Sequence, residues 1–225
     1  MGKKVVVFAP HPDDETLGCG GTIAKKVSMG CEVAVAVMTD GRHAFSQLFG
    51  LASDPSPEEL GEIRMGEVAQ ALKILGVQSA NVISFGFEDA TLAKHNTEVE
   101  RRIVALLKDF SPGEIYLPYR KDANLDHRIA SKLIHDAVRK LDFSASMYQY
   151  SIARKFARLS PFLSCLLNPI RRNLIYVDVS QFLKQKQSAV NEFKSQTTII
   201  SSRQHRPVMQ NVRRFLKKRE AFYVR

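Results

Sequence analysis

Two hydrophobic rhythms alternate along the first 140 residues. Short β-branched runs occur at KVVVFA, CEVAVAVM, ANVISF and EIYLP. Between them stand longer stretches whose apolar residues recur every three or four positions. One carries Leu60, Ile63, Val68, Ala71, Leu72 and Leu75, a second Val99, Ile103, Leu106 and Leu107, and a third Ile129, Leu133, Ile134, Ala137 and Val138. The first rhythm is that of strands and the second that of one helix face. Gly30 and Gly76 follow helical stretches, where a left-handed C-terminal cap is expected. Strand–helix–strand repetition predicts an α/β fold: a Rossmann-like three-layer sandwich with a mostly parallel central sheet, strand order 3-2-1-4-5.

Beyond residue 145 the rhythm loosens. SMYQYSI and LIYVDVS read as strands, and QFLKQKQSAVNEFKSQ reads as a helix after them. Between the two strands lies ARKFARLSPFLSCLLNPIRRN, apolar, basic and twice interrupted by proline. It is expected to be an insertion over about residues 151–173: a buried helical piece, a lid, or an amphipathic patch for a membrane surface. The stretch RPVMQNVRRFLKKREAFYVR is expected to form a basic helix over about residues 206–225. There is no internal repeat, and residues 1–225 read as a single domain.

Charge sharpens this division. Residues 1–150 hold 17 Lys/Arg against 20 Asp/Glu, whereas residues 151–225 hold 16 against 3. A basic last third suggests something anionic nearby: membrane headgroups, a phosphorylated substrate or nucleic acid. No apolar run approaches the roughly 20 residues that cross a bilayer. The opening MGKKVVVFAP has too brief an apolar stretch for a signal peptide, and Val6 breaks the myristoylation pattern. Cys19, Cys31 and Cys165 are odd in number and have no C-x-x-C spacing, which suits a reducing, cytoplasmic setting.

The chemistry is expected in two loops. In a right-handed doubly wound sheet, ligands gather beyond the carboxyl ends of strands, where the strand order reverses. The loops after strands 1 and 4 then open on one crevice, and they read HPDDE and RKDANLDHR. Together they supply His11, His127 and several carboxylates. Two imidazoles and one carboxylate around an open position form the ligand set of a hydrolytic zinc site. Pro12 restricts His11 to an extended conformation, so the chain can turn at once and bring an acid back to the same point. Asp13 and Asp14, being adjacent, cannot both face one ion. One suits the role of ligand and the other that of proton acceptor beside the attacking water. Taken alone, the acids after Pro12 would only stabilise a helix N-terminus, by roughly 0.3–1 kcal/mol each. The coincidence of both loops at one sheet edge carries the metal reading. Gly18, Gly20 and Gly21 do not make a dinucleotide fingerprint, because a pyrophosphate would meet the acids before them; close packing explains them.

These residues carry a resemblance. APHPDDE, followed much later by NLDHR, resembles the zinc-dependent de-N-acetylases of the LmbE/PIG-L family, which act on N-acetylated amino sugars and related glycosides. The likeness spans roughly residues 4–140, includes TDG and IRMGEVAQALKILGV, and touches KSQ near the C-terminus. By matching position it implies that His11, Asp14 and His127 bind the metal, Asp13 is the general base, and Asp126 supports His127. Many members have a histidine where this chain has Asn124, whose amide can donate to an oxyanion but cannot supply a proton at neutral pH. His43 is a candidate for that proton or for a substrate contact. Arg42, Arg64 and Asp89 are expected against the substrate's hydroxyls or a phosphate.

The implied activity is hydrolysis of an acetamide on an amino sugar or glycoside, with Zn2+, or another transition metal such as Fe2+, as cofactor. The partner is then a small or lipid-linked N-acetyl glycoside, with peripheral membrane contact and homo-oligomerisation both compatible. Two alternatives compete. A Mg2+-dependent phosphohydrolase is disfavoured by two histidine ligands. A non-catalytic anion- or nucleic-acid-binding protein lacks any common recognition motif and any aromatic residues interleaved with the basic ones, so no nucleic-acid partner is expected.

Overall fold

The computed structural model describes residues 3–152 and 173–224. Its strands are β1 (Lys4–Ala9), β2 (Glu32–Thr39), β3 (Val82–Phe87), β4 (Glu114–Pro118), β5 (Ser146–Tyr150), β6 (Leu174–Asp178) and β7 (Arg219–Val224). They form one sheet in the order β3-β2-β1-β4-β5-β7-β6. The first five strands are parallel, in the expected order 3-2-1-4-5, and β7 pairs antiparallel with both β5 and β6.

The helices are α1 (Asp14–Ser28), α2 (Ala44–Phe49), α3 (Pro57–Ile74), α4 (Asn96–Phe110), α5 (Leu125–Lys140), α6 (Leu183–Asn191) and α7 (Lys194–Thr197). The central strands are apolar throughout because both faces are covered. On one face Val5, Val7, Val33, Val35 and Val37 pack with Ile23 of α1, Val68 and Leu72 of α3, and Ala189 of α6. On the other, Val6, Phe8, Ala34, Ala36 and Met38 pack with Ile103 and Leu107 of α4 and Leu133 and Ile134 of α5. Sheet strands alternate their side chains between faces, so a continuous apolar run is the pattern that fits two layers of helices. α3 begins at a capping box, Ser56 with Glu59, and Pro57 occupies its first turn. Gly30 and Gly76 take the expected left-handed conformation, φ 75° and 86°.

α1 lies close to the sheet because it is rich in glycine. A Cβ on Gly18 would fall 2.5 Å from Cδ2 of Tyr150, and one on Gly21 would fall 2.6 Å from Cβ of Val179. A buried ionic network then fastens α1 to β7. Glu220 accepts the backbone N–H of Gly21 (2.9 Å) and Thr22 (2.8 Å) and the Thr22 hydroxyl (2.6 Å). Lys186 of α6 donates to Glu220 (2.6 Å) and to the Leu17 carbonyl (2.8 Å).

One expectation is corrected here. The basic helix over 206–225 does not form: only a 3-10 turn at Val212–Phe215 precedes strand β7. Glu220 and Phe222, two apart, are both buried, which is strand spacing. The gap between β5 and β6 takes an extended backbone, whose ladder bonds a helix would leave unmade. The expected insertion over about 151–173 lies almost wholly outside the described residues. Among those described, no helix is long and apolar enough to cross a membrane.

Candidate metal and catalytic site

Four loops at the carboxyl ends of the parallel strands build the site. After β1 the chain runs through Pro10, His11 and Pro12 and enters α1 at Asp14. Pro10 is anchored through its carbonyl, which accepts both the N–H (2.9 Å) and the hydroxyl (2.8 Å) of Thr39 at the end of β2. The His11 N–H donates to Asp14 Oδ2 at 2.9 Å, closing the turn that brings this carboxylate back beneath the imidazole. After β4, Asn124 caps α5 by accepting the Asp126 N–H at 2.8 Å, a contact typically worth about 1 kcal/mol. His127 then points inward from the first turn of α5, 2% exposed.

His11 Nδ1, Asp14 Oδ2 and His127 Nε2 converge. The separations are 3.2 Å from His11 to Asp14, 3.2 Å from His11 to His127, and 3.0 Å from His127 to Asp14. The outer face of each ring meets acids. His11 Nε2 lies 3.3 Å from Asp89 Oδ1 and 3.4 Å from Asp126 Oδ2, and His127 Nδ1 lies 3.5 Å from Asp122 Oδ1. A ring nitrogen facing carboxylates carries the proton, which leaves the inner nitrogen with its lone pair. Three lone-pair donors therefore aim at one point and demand positive charge there. Ligands about 2.0–2.2 Å from one ion stand roughly 3–3.5 Å apart. The triangle fits a single divalent cation bound by two imidazoles and a carboxylate.

Without an ion the same acids favour the protonated imidazoles, and a bound cation would take the place of the two inner protons. Burial opposes a charge on His11, but Asp126, Asp14 and Asp89 hold its pKa well above the usual imidazole value. Burial likewise works against His127, and Asp14 and Asp122 lift it to about 9. Burial would raise Asp14, yet His127 and His11 keep it far below the usual carboxylate range. Asp13 is different. Burial, opposed by Arg64 and aided by Asp14 and Glu15, pushes it up to about 7. Asp13 also holds a main-chain conformation, φ 129° and ψ −27°, that side-chain-bearing residues avoid.

The remaining expected residues divide. Asp126 accepts the Ala90 N–H at 2.8 Å and backs His11 as well as standing beside His127. Asp89 does not face outward; the residue is 6% exposed and its carboxylate is turned to His11. Arg64, expected against the substrate, is 4% exposed and lies beneath the site. Its Nη1 donates to the Gly41 carbonyl (2.8 Å), and its Nη2 to the Pro12 carbonyl (2.6 Å) and Asp13 Oδ2 (3.2 Å). Arg42 and His43 stay at the rim: Arg42 pairs with Asp40 and Glu58, and His43 Nε2 lies 2.6 Å from Glu88 Oε1. Asn124 is an exposed cap whose Oδ1 is committed to α5.

Three contributors escaped the sequence reading. Asp122 is fully buried, accepts the Asn124 N–H at 3.0 Å and faces His127. Glu15, which looks like a helix-dipole acid, is also fully buried and accepts the Asp13 N–H at 3.2 Å. Gly41, φ 66°, has no room for a Cβ, which would overlap Arg64 Nη1. All three lie inside the stretches RKDANLDHR, HPDDE and TDG, but nothing in the local pattern showed what each would touch.

Known proteins resemble this chain to differing extents. The PIG-L family model, described as GlcNAc-PI de-N-acetylase, matches residues 6–138. Diacetylchitobiose deacetylase of Thermococcus kodakarensis is 29% identical over 201 residues, covering 86% of this chain and 70% of the relative. A probable N-acetyl-α-D-glucosaminyl L-malate deacetylase 2 of Bacillus cereus is 28% identical over 143 residues, 63% of either chain. This chain thus spans less than two thirds of the second relative. Among solved structures, the N,N'-diacetylchitobiose deacetylase of Pyrococcus horikoshii superposes with a TM-score of 0.65 at 25% identity, covering 84% of this chain and 69% of that one.

Proposed function

The chain belongs to the PIG-L family, and from that premise we propose that it is a zinc-dependent hydrolase removing the acetyl group of an N-acetylated amino sugar or glycoside. The observation that carries the reading is the convergence of His11 Nδ1, Asp14 Oδ2 and His127 Nε2 beside the buried carboxyl of Asp13. A set of two imidazoles and one carboxylate favours zinc over magnesium. When bound, the ion supplies Lewis acidity for the negative charge that develops on the amide oxygen.

The protein's own groups do the rest. Asp13 accepts a proton from the attacking water, and the same carboxyl then returns a proton to the departing nitrogen. Water and acetamide thereby become acetate and a free amine. Asn124 keeps its Nδ2 available to donate toward the oxyanion, since its Oδ1 serves α5. Asp89, Asp126 and Asp122 fix the two imidazoles in the tautomers that leave their inner nitrogens free to bind. Arg42 and His43 line the rim where the sugar enters.

Two finer points have their own support. From Lys194 to Arg219 there are eight lysines and arginines and no acid, which favours an anionic acceptor or contact with an anionic lipid surface. Cys19 and Cys31 are free thiols, which suits the cytoplasm.

The test is acetate release from N-acetylglucosamine, N,N'-diacetylchitobiose and anionic N-acetylglucosaminides, with and without chelator. Hydrolysis that chelation abolishes and zinc restores is expected. Asp13→Asn should keep zinc while turnover falls by roughly 10²–10⁴. Undiminished turnover in that variant would remove Asp13 from the mechanism.

A further inference from the structure

The peptide bond between Pro12 and Asp13 is gripped from both sides. Its oxygen accepts Arg64 Nη2 at 2.6 Å, and its N–H donates to Glu15 Oε2 at 3.2 Å. A buried cation thus holds one end of the amide and a buried acid the other. Asp13 has φ 129° and ψ −27°. Its ψ is already helical, so only φ keeps it out of α1. Rotating the Pro12–Asp13 amide plane by about 180° would bring φ to about −50°, an ordinary helical value, and α1 would start one residue earlier.

From this geometry we propose that Arg64 and Glu15 are positioning residues: they hold the Pro12–Asp13 amide against a flip that would fold Asp13 into α1 and turn its carboxyl away. The inference rests on the assignment of Asp13 as the proton acceptor. Arg64 also reaches Asp13 Oδ2 (3.2 Å), so one guanidinium sets both the main chain and the side chain. Gly41 completes the device. Its carbonyl takes Arg64 Nη1 at 2.8 Å, and the space a Cβ would need is filled by the guanidinium. The Gly41 carbonyl, in the loop after β2, thereby helps to fix a residue in the loop after β1. Both terminal guanidinium nitrogens are committed to the loops, to Gly41, Pro12 and Asp13, whereas Nε has no hydrogen-bond partner among the described residues. The split between kcat and KM is therefore what distinguishes positioning from sugar binding.

The experiment compares zinc-loaded Arg64→Met, Glu15→Leu, Glu15→Gln and Gly41→Ala with the wild type, using N,N'-diacetylchitobiose as probe. Arg64→Met, Glu15→Leu and Gly41→Ala should lower kcat at least 100-fold, with KM within about threefold and zinc stoichiometry unchanged. Glu15→Gln keeps an acceptor for the Asp13 N–H and should retain most of kcat. A crystal structure of Arg64→Met or Gly41→Ala should show Asp13 with negative φ as the first residue of α1. A large rise in KM at constant kcat would make Arg64 a substrate contact and overturn the proposal. So would retention of φ near 129° in both variants. If Asp13→Asn proves fully active, the base assignment fails, while the crystallographic arm still decides whether the amide is held.

Discussion

His11 Nδ1 and His127 Nε2 lie 3.2 Å apart although 116 positions separate them in the chain. The contact exists because β1 and β4 are neighbours in the sheet and both end at the same edge. Each ring is oriented by acids on its far side, so the pair is aimed before any ion arrives. Such preorganisation ties metal affinity to residues that never touch the metal.

Asp122 offers the clearest test of that dependence. Its carboxylate is fully buried 3.5 Å from His127 Nδ1. Asp122→Asn leaves the shape but weakens the acceptor, and zinc affinity should fall roughly 10–100-fold. Competition with a chromophoric chelator measures it. Unchanged affinity would show that the His127 ring is oriented by its packing alone.

The conformation of Asp13 predicts an unusual order of stabilities. Asp13→Ala and Asp13→Gly both delete the carboxyl, but only glycine adopts φ 129° without strain. Strain of this kind costs about 1–3 kcal/mol. The glycine variant should therefore melt higher than the alanine variant, by about 2–4 °C for each kcal/mol recovered. Equal melting temperatures by calorimetry would mean the alanine chain has already relaxed its backbone.

Gly18 tests the packing that brings α1 to the sheet. An added methyl would come 2.5 Å from the Tyr150 ring, and Tyr150 cannot swing aside without losing its hydroxyl bond to the Phe8 carbonyl at 2.7 Å. Gly18→Ala should lose about 1–3 kcal/mol in urea unfolding. A neutral result would show that the α1–β5 contact is loose enough to absorb a methyl group.

The centre of the parallel sheet was legible because β1 and β2 are apolar on both faces, and the position of His11 and His127 followed from the edge that β1 and β4 share. Asp13, Asp14 and Asp126 also stood out beside the two histidines. The rest depended on contacts that no local pattern records. Glu220 looks like a surface acid in a basic stretch, yet it is buried against Lys186 and the amides of α1. Its strand was mistaken for a helix because Val212, Phe215 and Leu216 have helical spacing and the alternation of Glu220 and Phe222 is short. Arg64 sits on an amphipathic helix where an outward direction was the natural guess. Its inward turn is set by two carbonyls, from Pro12 and Gly41, that only the folded chain assembles.

The bond network between α1 and β7 has a practical side. Glu220 satisfies main-chain groups of Gly21 and Thr22 from nearly two hundred positions away. Deleting it would strand the Lys186 ammonium in an apolar interior and loosen the helix on which Asp14 rides. Substitutions at or beside residue 220 are therefore changes to the foundation of the proposed metal site, and variants altered there should be checked for metal content before any rate is compared.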